Sequence, residues 1–453
     1  MHPSPKGRVT VQLVRLSLPV IGLNLLQVLA LAVDTAMVGR MQGAETALTG
    51  MGFATQLSFL LMVLMIGLTV GSVAFVSRAH GADDHARVDH ILAQSATLAV
   101  VLGLVVAGIG NALAVPLLTV LGAEAADLEA GLAYLRPSLF FAPATYLNIL
   151  LAAVLRGVGN TRLAFFVAIG SNLLNVGLNS IFILGTFGFP ALGLLGAALG
   201  TGISQLAAVG TLTVLLAGGA EPALHVKPRL DRLDFGLLKD LVRIGAPAAI
   251  DMVVLNAGFL SIVGMLGRID PLAVAAHGVG LRVQALAFVP GMSISQAIGV
   301  LVGQALGAGD PDRAKAVLRS GVGLCVVVMS SLAALIIFGR SGIISIFDID
   351  PHGALGGYAQ EWMVLLGACM PAVGVYIAFV GLFQGSGATR TSLRINALMT
   401  LLLQIPLSWI LGFSMGWGTF GVWLALPLAF VGKALLGGFF VARGDWAKVG
   451  GRV

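Results

Sequence analysis

The stretch Arg156-Gly-Val-Gly-Asn-Thr-Arg162 returns as Gln384-Gly-Ser-Gly-Ala-Thr-Arg390, 228 residues further along the chain. Working outward, the same spacing joins Pro19 to Pro247, Gly39-Arg40 to Gly267-Arg268, Gly50 to Gly278 and Pro143 to Pro371. Ala79-His-Gly-Ala-Asp-Asp84 matches Ala305-Leu-Gly-Ala-Gly-Asp310 at 226, a two-residue slip inside a loop. A period kept over most of a chain marks a duplicated unit. The 453 residues therefore read as two homologous halves, 1–220 and 241–453, joined by a polar, basic linker over 221–240.

Composition says what kind of halves these are. Apolar residues make up 58% of the chain and charged residues only 10%, against roughly a quarter charged in a soluble domain, so a soluble protein is excluded. A barrel is excluded too, because the apolar runs last for about 20 residues where a barrel strand alternates over about 10. The 61 glycines suit helices packed closely through small residues. Twelve spans are expected, near 16–38, 47–75, 91–117, 131–153, 163–186, 193–217, 241–266, 272–302, 314–338, 359–383, 393–412 and 418–441. The expected fold is an all-α integral membrane protein, twelve transmembrane helices in two pseudo-symmetric six-helix bundles. Six spans per half give a parallel repeat about an axis along the membrane normal, a frame that secondary transporters use for alternating access. No Walker A pattern is present, so an ion gradient is the expected energy source.

Orientation follows from Lys and Arg. Lys6, Arg8, Arg15, Arg78, Arg87, Arg156, Arg162, Lys227, Arg229, Arg232, Lys239, Arg243, Arg313, Lys315, Arg319, Arg390, Arg394, Arg443, Lys448 and Arg452 all fall on one side, twenty of the 26. Both termini are expected in the cytoplasm, and the net charge of +6 reflects this topology rather than nucleic-acid binding. The basic N-terminus leads into a full apolar run without a small-residue cleavage site and reads as retained. Cys325 and Cys369 lie in apolar stretches and suggest neither a disulfide nor a thiolate metal site.

Ionisable and amide side chains inside the spans need a reason to be there. Asp34, in LLQVLALAVDTAMVG (25–39), has no basic residue within a helical turn. A carboxylate so placed suits a proton carrier or shares oxygen ligands with a metal ion. The fifth span, FFVAIGSNLLNVGLNSIFI (165–183), puts Asn172, Asn175 and Asn179 on one helical face, which must turn toward a neighbour or a cavity rather than lipid. Thr201 and Ser204 of the sixth span are placed to join them. In the second half, Asp251 stands about one turn past Pro247, Arg282 is near mid-span, Lys433 reads as snorkelling toward the cytoplasm, and His277 reads as solvated near the outer face. His80, His85 and His90 do not have metal-ligand spacing, no cofactor site is indicated, and no catalytic cluster suggests an enzyme.

The order VDTAMVGR (33–40), LRGVGNTR (155–162), NLLNVGLN (172–179), GAALGTGISQ (196–205), GQALGAGDPDRAKAV (303–317) and FQGSGATRT (383–391) resembles the multidrug and toxic compound extrusion (MATE) family across almost the whole chain. The resemblance implies a V-shaped pair of bundles exporting organic cations and other amphipathic compounds in exchange for H⁺ or Na⁺; the short loops and the lack of a targeting sequence lead to the expectation of a bacterial inner membrane. It maps the family's N-lobe ion site onto Asp34, Asn175, Asn179 and Thr201, with Asn179 standing where the family has a carboxylate. That leaves one formal charge and favours H⁺ over Na⁺. The C-lobe acid positions fall on Leu255 and Val373. Asp34, Asn172, Asp251, Arg282, Met37 and Met51 are the candidate substrate contacts, Met supplying an adaptable surface. A lipid-linked precursor flippase of the same superfamily is the alternative; it would want several basic cavity residues, and Arg282 alone is a candidate. A monomer is expected of two fused halves.

Overall fold

The computed structural model describes residues 5–41, 43–224 and 233–449. Of the cytoplasmic basic residues expected above, Lys227, Arg229, Arg232 and Arg452 lie outside the described residues, as do the side chains of Lys6, Arg8 and Lys448. The described residues form helices and no strand, the arrangement in which each apolar segment satisfies its own backbone without water. In order they are α1 (Pro5–Val38), α2 (Ala44–Gly81), α3 (His85–Val120), α4 (Ala125–Phe140), α5 (Ala142–Val158), α6 (Thr161–Leu184), α7 (Leu194–Ala217), α8 (Phe235–Leu266), α9 (Pro271–Gly307), α10 (Pro311–Ser345), α11 (Ala354–Gly385), α12 (Thr389–Ala397), α13 (Ile405–Trp409), α14 (Gly418–Arg443) and α15 (Asp445–Val449). Large apolar side chains such as Phe338, Leu435 and Val214 stay exposed on the helix exteriors, as they do where the solvent is lipid.

Eleven helical segments are long and apolar enough to cross a membrane, and a bent pair makes the twelfth. That pair is the expected span at 131–153: α4 and α5 meet at Phe141 with a 57° bend. Pro137 lies inside α4 and Pro143 opens α5, and each removes a backbone N–H and crowds the carbonyl four residues back. In the second half the counterpart of Pro137 is Leu365, only Pro371 remains, and α11 runs unbroken.

The repeated motifs are helix punctuation. Gly159, at φ 96°, ends α5 in the left-handed conformation that costs glycine nothing, and Asn160 caps α6 by accepting from Leu163 N–H at 3.1 Å. Asp84 caps α3 through Arg87 N–H at 2.9 Å, and its counterpart Asp310 caps α10 through Arg313 N–H at 2.8 Å. Asp84→Ala and Asp310→Ala are each expected to lose about 1 kcal/mol, adding in the double variant because the sites share no partner. Thermal unfolding of the purified protein measures this. The linker is tied at both described ends: Asn160 Nδ2 donates to Glu221 at 2.7 Å, and Asp234 lies 3.2 Å from His90 Nε2. The Leu237 N–H first, and His90 second, hold the Asp234 carboxyl below its ordinary value.

The chain divides into two compact units, Gly22–Ala246, and Met1–Ile21 with Pro247–Val453. The divisions fall inside α1 beside Pro19 and inside α8 at Pro247, the paired prolines of the repeat. Each unit has its own apolar core. In the first it runs through Leu23, Phe75, Leu118, Leu150 and Leu241; in the second through Ile298, Met329, Trp362, Phe383 and Trp423.

Candidate functional site

Within the unit Gly22–Ala246, α1, α6 and α7 bring together the four residues expected to form an ion site. Asn175 and Asn179 stand one turn apart on α6, so their amides share a face. Asn179 Nδ2 donates to Asp34 Oδ1 at 2.6 Å and lies 3.4 Å from Asn175 Oδ1, while Asn175 Nδ2 donates to Thr201 Oγ1 at 3.1 Å. The result is a hydrogen-bonded chain from Thr201 through two amides to one carboxylate. Asp34, Asn175 and Asn179 are buried and Thr201 is half-buried.

Two further residues complete the site, and neither had a sequence signal of its own. Gly200, one position before Thr201, faces Asn179 so closely that a β-carbon there would collide with the Asn179 amide oxygen. Glycine is what lets α7 approach α6 at this level. The Tyr134 phenol of α4 lies within range of the Asp34 charge, and Ser138 Oγ donates to the Tyr134 backbone carbonyl at 2.7 Å.

The chemistry follows from the inventory of donors and acceptors. Asp34 receives one short amide bond, and Asn179 Oδ1, fully buried beside it, has no partner. A lone buried carboxylate next to an orphan acceptor leaves room for one more positive charge. A proton on Asp34 adds an O–H donor; alternatively a cation shares the oxygens of Asp34, Asn175, Asn179 and Thr201.

The other candidates lie elsewhere. Asn172 donates to the Ala168 carbonyl of its own helix at 2.8 Å, and Ser204 Oγ to the Gly200 carbonyl at 2.8 Å. Met51 is buried in a small apolar cluster with Val38, Ile183 and Leu194, and Met37 packs at its edge. Asp251 belongs to the other unit, where Ser392 and Asn396 bond it. Arg282 is exposed on α9, with no ion pair among the described residues.

Two expectations are corrected. Lys433 does not snorkel: it is fully buried, its ammonium 4.8 Å from the Phe430 ring centre and 5.7 Å from that of Tyr376. α14 continues to Arg443, about 15 Å further at ~1.5 Å per residue, beyond the reach of a four-carbon stem. His277 is not solvated either, because Trp362 and Trp423 cover it, at ring-centre distances of 4.8 and 6.5 Å.

Known proteins resemble this chain in sequence and fold. The MatE family model matches residues 19–181 and 247–410, one copy beginning at each of the paired prolines. The probable multidrug resistance protein YoeA of Bacillus subtilis is 28% identical over 420 residues, 92% of this chain and 90% of that protein. The probable multidrug resistance protein NorM of Thermotoga maritima is 26% identical over 438 residues, 96% of this chain and 93% of that one. A crystal structure of MATE in the bent conformation superposes with a TM-score of 0.89 at 22% identity, covering 98% of this chain and 97% of that chain; a likeness at that identity establishes the fold. Because the family model falls once on each half and spans most of the chain, this duplicated twelve-span protein belongs to the MatE family.

Proposed function

We propose that the protein is a secondary active antiporter that exports organic, often cationic, amphipathic compounds in exchange for protons. The observation that carries this reading is the chain Thr201–Asn175–Asn179–Asp34, which ends on one carboxylate beside an unpartnered amide oxygen. Its relatives named as multidrug resistance proteins supply the substrate class. In one state of the cycle Asp34 takes a proton, its charge disappears, and the reason for water to remain around it goes with the charge. The helices around it repack and affinity for the compound falls. Release of the proton restores the binding-competent state. Coupling requires only that proton and compound prefer different states.

With Asn179 where a second carboxylate would stand, the single charge of the site favours H⁺ over Na⁺, the latter held by the oxygens of Asp34, Asn175, Asn179 and Thr201. The proposed setting is a bacterial plasma membrane with both termini cytoplasmic and the protein monomeric, Asn172 and Met37 contributing to compound binding within the unit that holds Asp34. A lipid-linked precursor, whose pyrophosphate wants several cations, is disfavoured by the single exposed Arg282.

The test is efflux of a fluorescent cationic dye from proteoliposomes, first under an imposed pH gradient and then under a Na⁺ gradient. Transport driven by the pH gradient alone is the expected result; no dye movement under either gradient would sink the exporter reading. Gly200→Ala is expected to cut that efflux by displacing Asn179, whereas Gly210→Ala on the same helix, where a β-carbon meets open space, leaves it unchanged.

A further inference from the structure

The unit containing Pro247–Val453 holds a second polar cluster, in which Ser392, Asn396, Thr400 and Lys433 are buried and Asp251 is half-buried, and its chemistry differs from that at Asp34. Asp251 on α8 accepts from Asn396 Nδ2 at 2.6 Å and from Ser392 Oγ at 3.0 Å, both on α12. Thr400 Oγ1 donates to Asn396 Oδ1 at 3.1 Å, which fixes the amide with its NH₂ toward the carboxylate. Lys433 of α14 is fully buried, and its ammonium makes no hydrogen bond to Asp251 or to any other described group. Asp251 and Lys433 are nonetheless near enough for each charge to act on the other, and the Tyr376 ring of α11 lies 5.7 Å from the ammonium, its phenol within range of Asp251 and Ser392.

The repeat shows how unusual this is. Counting back 228 residues, Lys433 corresponds to Gln205 and Tyr376 to Asn148. In the first half these two amides satisfy one another, Asn148 Nδ2 donating to Gln205 Oε1 at 2.6 Å. Asp251 and Asn396 correspond to Leu23 and Ala168, both apolar. One half therefore carries a neutral, closed pair where the other carries a carboxylate and an ammonium that do not touch.

A fixed structural ion pair would be built otherwise. Burying two charges is offset only by direct, hydrogen-bonded contact, and buried charges without it tend to neutralise. The backbone supplies a second, independent sign. Two residues after Asn396 the helix passes into a π-helical stretch, Leu398–Gln404, and a second one spans Ile410–Ser414. π turns gather at functional sites and interrupt the regular ladder, so the element presenting Ser392 and Asn396 leads directly into a built-in irregularity.

We propose that Asp251 and Lys433 form a second proton-exchange site in this half of the protein, independent of Asp34. The step is one proton. The Asp251 carboxylate takes it from water and later returns it to water, and Lys433, close enough to act on that carboxylate, is the positioning group. Asn396 goes on donating to one carboxyl oxygen while the new O–H on the other donates to Ser392 Oγ, whose hydroxyl accepts as readily as it donates. The titratable groups facing Asp251 are Lys433 and Tyr376; those from α12 are neutral.

This goes beyond the exporter reading, and its test reads protonation without transport. Infrared difference spectra of the purified full-length protein between acidic and alkaline buffer follow the C=O stretch of protonated carboxylic acids. Asp251→Asn is expected to remove one pH-dependent acid band that Asp34→Asn retains, and Lys433→Gln to move the pH at which that band disappears. A spectrum for Asp251→Asn identical to wild type overturns the proposal, as does a Lys433→Gln band that titrates unchanged. If a single variant fails to fold, the charge-balanced Asp251→Asn/Lys433→Gln double takes its place, and persistence of the band there overturns the site. Wild type that moves no dye but shows the Asp251 band sinks the exporter reading and leaves this site standing.

Discussion

Asp34→Asn is expected to abolish dye efflux driven by a pH gradient while leaving the protein folded and able to bind dye. The substitution is nearly isosteric, and the new amide oxygen still accepts the 2.6 Å bond from Asn179 Nδ2. Packing among α1, α6 and α7 is therefore kept, and only the titratable charge is lost. A coupling free energy between two ligands is typically 1–3 kcal/mol, so removing it should flatten a roughly 5–150-fold pH dependence of dye affinity. Dye binding measured at two pH values, beside efflux from proteoliposomes, separates the two effects. If the carboxylate served only to hold α6 against α1, the amide would serve as well and efflux would survive. Retained pH-driven efflux would therefore remove Asp34 from the coupling mechanism.

What could be foreseen from the chain was whatever a period expresses. The interval of 228 between Arg156-Gly-Val-Gly-Asn-Thr-Arg162 and Gln384-Gly-Ser-Gly-Ala-Thr-Arg390 gave two halves, and apolar run length gave the spans. Asn175 and Asn179 were legible because a polar stripe on an apolar helix can point only inward. The bend at Phe141 was not, because hydropathy runs smoothly through Pro137 and Pro143 and says nothing about backbone direction. Gly200 was hidden among many glycines; what singles it out is the Asn179 amide packed against it, a contact between helices. Lys433 was misread for the same reason. Snorkelling is decided by how much helix lies beyond the residue and by what closes over it; Phe430 stands one turn away on the same helix, but Tyr376 comes from α11, far off in sequence.

Asn179→Asp is expected to make export responsive to a Na⁺ gradient, a response absent from the wild type. The amide donor that touches Asp34 at 2.6 Å becomes a carboxylate oxygen, and two carboxylates at that separation cannot both stay ionised without a cation between them. Either they share one proton or they take up a hard cation, for which Asn175 Oδ1 and Thr201 Oγ1 supply further oxygen ligands. Dye efflux from proteoliposomes at equal pH on both sides, with Na⁺ imposed on one side, distinguishes the variant from wild type. Asn179→Leu is the counter-test. It leaves the Asp34 carboxylate buried without its donor, at a cost of about 1–3 kcal/mol, and it should lower both thermal stability and efflux under any gradient. Should Asn179→Asp stay indifferent to Na⁺ while keeping pH-driven export, the number of carboxylates at this site does not choose the ion. The choice would then rest with the oxygens of Asn175 and Thr201, which the substitution leaves present.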